Sequence, residues 1–349
     1  MELIVITNNI DTLEDTNVVK TNKPILRKNK ILKSIEKNID FITLIKIREE
    51  IDIKWLECVH NPQYLQFLKY CHNSFILSND ISWADDYCGL VPCNFTKNIP
   101  DTSVPIYKFS GFYGSDTMTP IYENTYRDAM VSANQAYHGA NYLHDNNTNL
   151  VYVLATSPGH HAKRSEYGGY CFINNAVVAA QRLIELSERK VGILDLDYHA
   201  GNGTYEITLS NKNIIAYSIH CDPKYDYPSF DGLNNEYNYI LPPQCDWDTY
   251  KNILVTVCNR LKLDNIDALI IAFGGDTFKD DPNAIPIGRF DLDLSSYTKM
   301  AKLLRQYFKY TPTMITQEGG YNMEHIGNIV SLFIMGLIQN PEDDDIEYH

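Results

Sequence analysis

Two adjacent histidines, His160 and His161, stand in the stretch TSPGHHA, directly after the apolar run LVYVLA. Neighbouring side chains on a strand point to opposite faces, so only one ring of a pair inside the strand could face a given pocket. On a turn at the strand end, both imidazoles can face one pocket. The stretch is compatible with a proton-transfer pair, a metal site or two unrelated imidazoles.

Polar side chains of the kinds used in catalysis also follow four other apolar runs: Asp195, Asp197 and His199; Ser218 and His220; Asp276; and Glu318 and Tyr321. Open α/β sheets bind ligands beyond the carboxyl ends of their strands. A single strand-end Asp is more often a helix cap, but five such strand ends together favour a site. Asp197 and His199 alternate, so on an extended segment they face the same side. With Asp276 they offer two carboxylates and one imidazole, a set that suits a catalytic zinc with one open position.

The elements that must position these residues alternate regularly from residue 150 onward. Apolar runs are separated by amphipathic stretches at 174–188, 247–262 and 295–309, which is typical of a parallel sheet with helices on both faces. The sequence therefore predicts an α/β fold.

The first part of the chain is less regular. KPILRKNKILKSIEKN and TYRDAMVSANQAYHGANYLHD predict helices, whereas residues 72–125 lack periodicity and are rich in Asn, Ser, Asp, Gly, Pro and Tyr. A long irregular segment in a compact protein is usually a functional loop, so we expect an insertion there. No linker is evident, and we expect one domain over residues 1–349 that ends in an acidic tail at 340–349.

Composition excludes several classes of protein. The 349 residues carry a formal net charge of -14, which argues against a nucleic-acid-binding surface. The eight cysteines include no CxxC pair, so reduced core thiols are favoured over a thiolate zinc site. The apolar run at 329–338 is too short to span a bilayer, and the N-terminus does not resemble a signal peptide. We expect an intracellular, cytoplasmic protein without a membrane partner.

Six ordered motifs resemble those of a known family: SPGHHA, GGYCFINNAVVAAQRL, ILDLDYHAGNGT, SIHCDP, GGDTFKDDP and EGGYN. Together they resemble the zinc-dependent histone deacetylase family. EYGGYCFINNA, HCDP and DTFKDDP look most like its acetylpolyamine amidohydrolase branch. The strong match covers about residues 150–325. The resemblance implies a single α/β domain on an eight-stranded parallel sheet, related to the arginase fold.

The resemblance also implies roles for individual residues, one zinc per chain and a structural potassium ion. The implied zinc ligands are Asp197, His199 and Asp276, and the implied catalytic residues are His160, His161, Tyr321 and Asp195, with His161 as general base. The implied monovalent cation site comprises Asp195, Asp197, His199, Ser218 and Ile219. The implied tunnel wall is formed by Gly169, Tyr170 and Tyr227, and Arg27 matches an arginine near an inner acetate cavity.

Two further residues are candidate substrate contacts. Asp116 could meet a ligand ammonium or be a solvated, exposed carboxylate, and Asn283 is at a rim position that can gate charge. Glu318 is expected to orient the loop of Tyr321, and Cys171 to pack beneath the tunnel.

The chain departs from the family pattern at three places. Thr156-Ser157 replaces Arg-Pro, Ala200 replaces a second histidine, and Asn202 stands where some members have an Asp oriented toward the second histidine of the pair. Since no zinc ligand is lost and Tyr321 is present, we expect an active enzyme.

The resemblance implies removal of acetyl or other acyl groups from N-acetylated amines, most simply acetylpolyamines. An acetyl-lysine protein (histone) deacetylase and an inactive acyl-lysine-binding scaffold are the alternatives. An arginase-type enzyme would need a second metal, but its carboxylate positions are Gly201 and Phe278 here. The expected partners are a small cationic acetylated amine or an acetyl-lysine peptide, and a second copy of the chain bound through the 72–125 insertion.

Overall fold

Eight parallel strands form one sheet in the order β2-β1-β3-β8-β7-β4-β5-β6. The computed structural model describes residues 3–8, 24–101, 103–145, 149–187, 189–229, 236–284 and 286–338. The strands are β1 Leu3–Thr7, β2 Ile42–Lys46, β3 Leu150–Val153, β4 Val191–Asp195, β5 Ile214–Cys221, β6 Asn238–Leu241, β7 Ala268–Phe273 and β8 Thr313–Gln317. The predicted α/β class with a parallel, eight-stranded sheet is confirmed.

Helices cover both faces of the sheet. They are α1 Pro24–Asn38, α2 Pro62–Ser78, α3 Ser110–Tyr113, α4 Thr125–Asp145, α5 Asn175–Ser187, α6 Asn202–Thr208, α7 Trp247–Leu263, α8 Leu294–Phe308 and α9 Ile326–Ile338. Successive strand residues enter opposite cores, since a strand alternates its side chains. Leu3 and Val5 belong to the core that includes α1, α7, α8 and α9, whereas Ile4 and Ile6 belong to the core that includes α2, α4 and α5. This double burial explains why the central strands appear as continuous apolar runs.

Most predicted helices match the structure to within about two residues, but two features differ. The start of the expected insertion, residues 72–78, belongs to α2, which Asn61 caps by accepting a hydrogen bond from the Gln63 N–H. Phe75 extends the apolar side of this helix against Tyr107, with ring centroids 6.0 Å apart. The sequence patterns described above did not predict the strands β1, β2 and β6.

In the rest of the 72–125 segment, the described residues form short helical turns at Ile81–Trp83, Ile106–Phe109 and α3, and isolated β-bridges join Leu90 to Ala84 and Ile121. The acidic tail at 340–349 lies outside the described residues. In the part of the chain that the structure describes, no helix is both long and apolar enough to cross a bilayer. Because all strands are parallel, the polar residues that follow β3, β4, β5, β7 and β8 meet at one edge of the sheet.

Candidate active site

Three buried side chains converge at this edge. Asp197 and His199 follow β4, and Asp276 follows the neighbouring strand β7. Nδ1 of His199 lies 3.2 Å from Asp197 Oδ1 and 3.2 Å from Asp276 Oδ2, and one donor atom from each of the three lies within 4.8 Å of the others. The arrangement brings together the set that the sequence predicts as metal ligands.

The donor set fits a divalent cation. Asp276 Oδ2 is buried, and its 3.2 Å contact with His199 Nδ1 lacks the geometry of a well-formed hydrogen bond, which is costly for a carboxylate unless a cation or donor satisfies it. Burial and the neighbouring Asp197 carboxylate raise the pKa of Asp276 above its usual range. A bound cation would relieve both problems. Gly319 forms the floor here, because a Cβ at this position would collide with the oxygens of Asp276 and Asp197.

The histidine pair lies beside these ligands on the loop after β3, with the two ring centroids 3.9 Å apart. Each ring is held by a different partner through Nδ1: His160 lies 3.0 Å from Asp195 Oδ2, and His161 lies 2.7 Å from Asn202 Oδ1. The predicted pairing of His160 with Asp195 is therefore observed. Asn202 thus contacts the second histidine of the pair from the position where some members of the similar family have an Asp.

The two rings have opposite electrostatics. Burial alone would lower the pKa of His160, but the carboxylates of Asp197 and Asp195 outweigh it and raise this pKa to about 10. Burial, together with the charges of His160 and His199, lowers the pKa of His161 well below its usual value. Without a bound cation, the carboxylates thus favour the protonated form of His160, and burial favours the neutral form of His161.

Two buried carboxylates bind the backbone of the loops that carry these residues. Glu318 Oε2 accepts hydrogen bonds from the Gly159 N–H at 2.6 Å and the His160 N–H at 3.1 Å. The prediction that Glu318 orients the Tyr321 loop is therefore wrong in its target, because its carboxylate binds the loop after the neighbouring strand β3. The Tyr321 loop is bound instead by Asp281, which the sequence analysis did not single out.

The residues predicted to form a tunnel wall lie near His161 and Tyr321. The Tyr227 ring lies 4.6 Å from that of His161, and the Tyr170 ring lies 6.2 Å from that of Tyr321. Gly169 adopts φ +54, in the left-handed region that favours glycine. A Cβ there would also collide with the His161 ring.

The 72–125 segment reaches this wall through Ser115 and Asp116. Ser115 Oγ lies 3.1 Å from the Tyr227 hydroxyl, and Asp116 Oδ2 accepts a 2.8 Å hydrogen bond from the Gly169 N–H. Asp116 is half-buried, so its interpretation as a solvated, exposed carboxylate is wrong: its two oxygens bind the N–H groups of Gly169 and Met118. Sequence alone could not reveal that this segment folds back onto the glycine turn.

The unusual front of the histidine loop is held from α1. The Arg27 guanidinium donates to the Thr156 carbonyl at 3.2 Å and lies 5.6 Å from the centre of the Tyr321 ring. The Lys28 ammonium donates to Thr156 Oγ1 at 3.4 Å and also contacts Asn8 Oδ1. Burial lowers the pKa of Lys28 to about 7. The hydroxyl of Thr156 thus serves as the acceptor for a buried amine.

The remaining predicted residues lie close to the same edge. Asp195 and Ser218 are opposite each other on β4 and β5, and Ser218 Oγ accepts a hydrogen bond from the Gly201 N–H at 3.2 Å. Asn283 is tied to the Tyr321 loop through its backbone N–H, which donates to Asp281 Oδ1. Cys171 is buried, as expected, and its thiol donates to the Gly169 carbonyl.

Comparison with known proteins agrees with this geometry. A model of the histone deacetylase domain matches residues 22–337. Acetylpolyamine amidohydrolase 2 of Pseudomonas aeruginosa is 37% identical over 227 residues, which are 62% of this chain and 64% of the relative's length. Histone deacetylase 8 of Arabidopsis thaliana is 25% identical over 244 residues, which are 63% of each chain. The crystal structure of an acetylpolyamine aminohydrolase from Burkholderia pseudomallei matches the fold with a TM-score of 0.84 and 23% identity, covering 96% of this chain and 98% of the other. The chain belongs to the histone deacetylase family.

Proposed function

We propose that this protein is a zinc-dependent amidohydrolase that removes acetyl groups from N-acetylated amines, with acetylpolyamines as the preferred substrates. The observation that carries the proposal is the convergence of three buried metal-type donors beside a neutral histidine and a buried tyrosine. The names of the relatives point to the same chemistry. We infer one zinc per chain in one domain, because Gly201 and Phe278 offer no donor side chain for a second metal.

Zinc held by Asp197, His199 and Asp276 would supply Lewis-acid polarisation of the amide carbonyl and activation of water. His161 provides the proton transfers. Its Nδ1–H donates to Asn202 Oδ1, which leaves the lone pair on Nε2. Because its pKa lies well below the usual value, Nε2 is free to accept a proton from the attacking water and to return it to the leaving amine, a contribution of about 10²–10⁴-fold.

Tyr321 and His160 provide the electrostatic part. Burial raises the pKa of Tyr321 well above its usual value, so its hydroxyl keeps its proton and can donate to the oxyanion that develops on the carbonyl. The carboxylates of Asp197 and Asp195 raise the pKa of His160, and the cationic ring that they favour would lower the energy of nearby negative charge. Asp195 fixes its ring through Nδ1.

The wall favours a slender, cationic substrate. Tyr170, Tyr227 and the Gly169 turn suit an aliphatic chain, and the carboxylate of Asp116 lies behind that turn. We propose that Asp116 attracts a ligand ammonium near the entrance and that Asn283 leaves the opposite rim without an acidic gate. An acetyl-lysine peptide presents the same acetylated chain, and it is the alternative substrate.

Two accessory features belong to the proposal. A potassium ion is assigned to Asp195, Asp197, His199, Ser218 and Ile219, supported by the direct pairing of β4 with β5 at Asp195 and Ser218. A homodimer is assigned to the 72–125 segment, which holds half of the fourteen large apolar side chains exposed among the described residues: Ile76, Leu77, Ile81, Tyr87, Phe95, Ile99 and Met118. Analytical ultracentrifugation should give a dimer, and a monomer at every concentration would contradict this assignment.

The substrate assignment is tested by comparing acetate release from N-acetylputrescine, N8-acetylspermidine and an acetyl-lysine peptide. We expect the highest kcat/KM on an acetylpolyamine and a higher KM for that substrate in Asp116→Asn, with the peptide less affected. A peptide rate far above both polyamine rates would support the protein deacetylase instead. Peptide binding without release of acetate from any substrate would support the inactive scaffold.

A further inference from the structure

We propose that Asp281 is a positioning residue that sets the place of Tyr321 relative to the metal ligands, an inference that rests on the proposed function. Asp281 is completely buried. Its Oδ2 accepts hydrogen bonds from the N–H groups of Tyr321 at 2.6 Å and Asn322 at 2.9 Å, and its Oδ1 accepts one from the Asn283 N–H at 2.9 Å. Its side chain contacts backbone groups and no reacting atom, so its action is through Tyr321.

The clamp joins the loops after β7 and β8. On the β7 side, the Asp281 N–H donates to the Phe278 carbonyl at 2.9 Å, and the Phe278 N–H donates to the Gly275 carbonyl at 3.3 Å. This turn begins beside Asp276. On the β8 side, the carboxylate holds the first two residues after Gly320. The same two loops are also joined by the Gly275 N–H to the Gly319 carbonyl and by the Asn322 side-chain amide to the Asp280 carbonyl. Among these contacts, the Asp281 carboxylate is the one that binds the Tyr321 N–H directly.

The Tyr321 loop needs such a clamp because of its own sequence. Gly320 adopts φ +111, a conformation that side chains rarely permit but glycine adopts readily. Gly319 is held by its N–H bond to Asp197 Oδ2 at 2.8 Å, and the conformationally permissive Gly320 separates it from Tyr321. Two backbone N–H groups bound to one carboxylate oxygen form charge-assisted bonds, which are stronger than neutral ones. Removal of the carboxylate would leave both N–H groups buried without that partner, so the loop would shift.

A double-mutant cycle separates positioning from a general structural role. Asp281→Ala should lower kcat by about 10² because a displacement near 1 Å costs that much, with little change in KM. In the Tyr321→Phe background, the same substitution should cost less than about 3-fold. An equal loss in both backgrounds would overturn the proposal. Asp281→Asn keeps an oxygen for the N–H groups of Tyr321 and Asn322 but turns its amide nitrogen toward the Asn283 N–H, so it should recover only part of the activity. The exposed Asp280→Asn controls for the lost charge.

A second measurement does not depend on turnover. In the Asp281→Ala protein, amide hydrogen exchange should accelerate in the peptide that covers residues 319–323 and remain unchanged around His160. Unchanged exchange at Tyr321 and Asn322 would refute the clamp even if activity falls. If the wild-type protein hydrolyses no acylated amine but exchange responds as expected, then the proposed function fails and the clamp stands.

Discussion

The buried ring of His60 should make the stability of this protein sensitive to acid. Its Nδ1 lies 2.9 Å from the Lys163 carbonyl, and its Nε2 accepts a hydrogen bond from the Asn174 N–H at 3.0 Å. The ring thus joins Lys163, two residues beyond the histidine pair, to Asn174, which directly precedes α5. Burial lowers the pKa of His60 from 6.5 to about 4.

The sign of the effect follows from the two pKa values. Between pH 6.5 and pH 4 the unfolded chain binds a proton at His60 and the folded chain does not, so the free energy of unfolding falls as the pH falls through this window. A separation of about 2.5 pH units corresponds to about 3 kcal/mol below pH 4, of which about 2 kcal/mol is lost by pH 5.

His60→Gln isolates this contribution. A glutamine amide can donate to the Lys163 carbonyl and accept from the Asn174 N–H, but it does not titrate. The free energy of unfolding, measured with urea and tryptophan fluorescence, should fall by about 2 kcal/mol less between pH 7.5 and pH 5 than in the wild type. His72→Gln is the matched control, because its ring is only half-buried and the difference should be smaller. Identical pH dependence of His60→Gln and wild type would refute the reasoning.

Three further predictions concern the site. Glu318→Ala should lower kcat by about 10² because the Gly159 and His160 N–H groups lose their acceptor. Glu318→Gln keeps an acceptor oxygen and should retain most activity. Equal losses of kcat in the two variants would indicate that Glu318 acts as a proton-transferring acid. Gly169→Ala should cost about 1–2 kcal/mol in unfolding free energy and most of kcat, because the new Cβ meets the His161 ring at φ +54; wild-type kinetics would contradict this packing. Zinc at 100 times its Kd should raise the free energy of unfolding of the chelator-treated, metal-free protein by about 2.7 kcal/mol, measured by thermal unfolding. An equal increase in Asp276→Ala would place the metal elsewhere.

The residues at the carboxyl ends of the strands could be predicted well from the sequence. Apolar runs locate β3, β4, β5, β7 and β8, and parallel strands must carry their following residues to one edge. Asp197, His199 and Asp276 could therefore be grouped without coordinates. Alternation alone could not identify β1, which is five residues long and buried throughout, because a short apolar run fits a strand or a buried helix segment equally well.

The contacts that position the candidate catalytic side chains are the part that sequence does not reveal. Glu318 and Asp281 both bind backbone N–H groups on other loops, and a backbone group carries no mark in the sequence of its partner. The same applies to Lys28, which lies 128 residues from Thr156 in the chain but donates to its hydroxyl. These contacts depend on how the loops cross, which only the folded chain determines.

A titration of activity against bound metal tests most directly whether the protein is a single-zinc acetyl-amide hydrolase. Zinc would be added stepwise to protein from which a chelator has removed the metal. Acetate release from N-acetylputrescine and the bound zinc would be measured at each step. Activity should rise in proportion to bound zinc, reach its plateau at about one zinc per chain, and be absent in Asp276→Ala. Full activity in the chelated protein, or no release of acetate from any acetylated amine at one zinc per chain, would contradict the account.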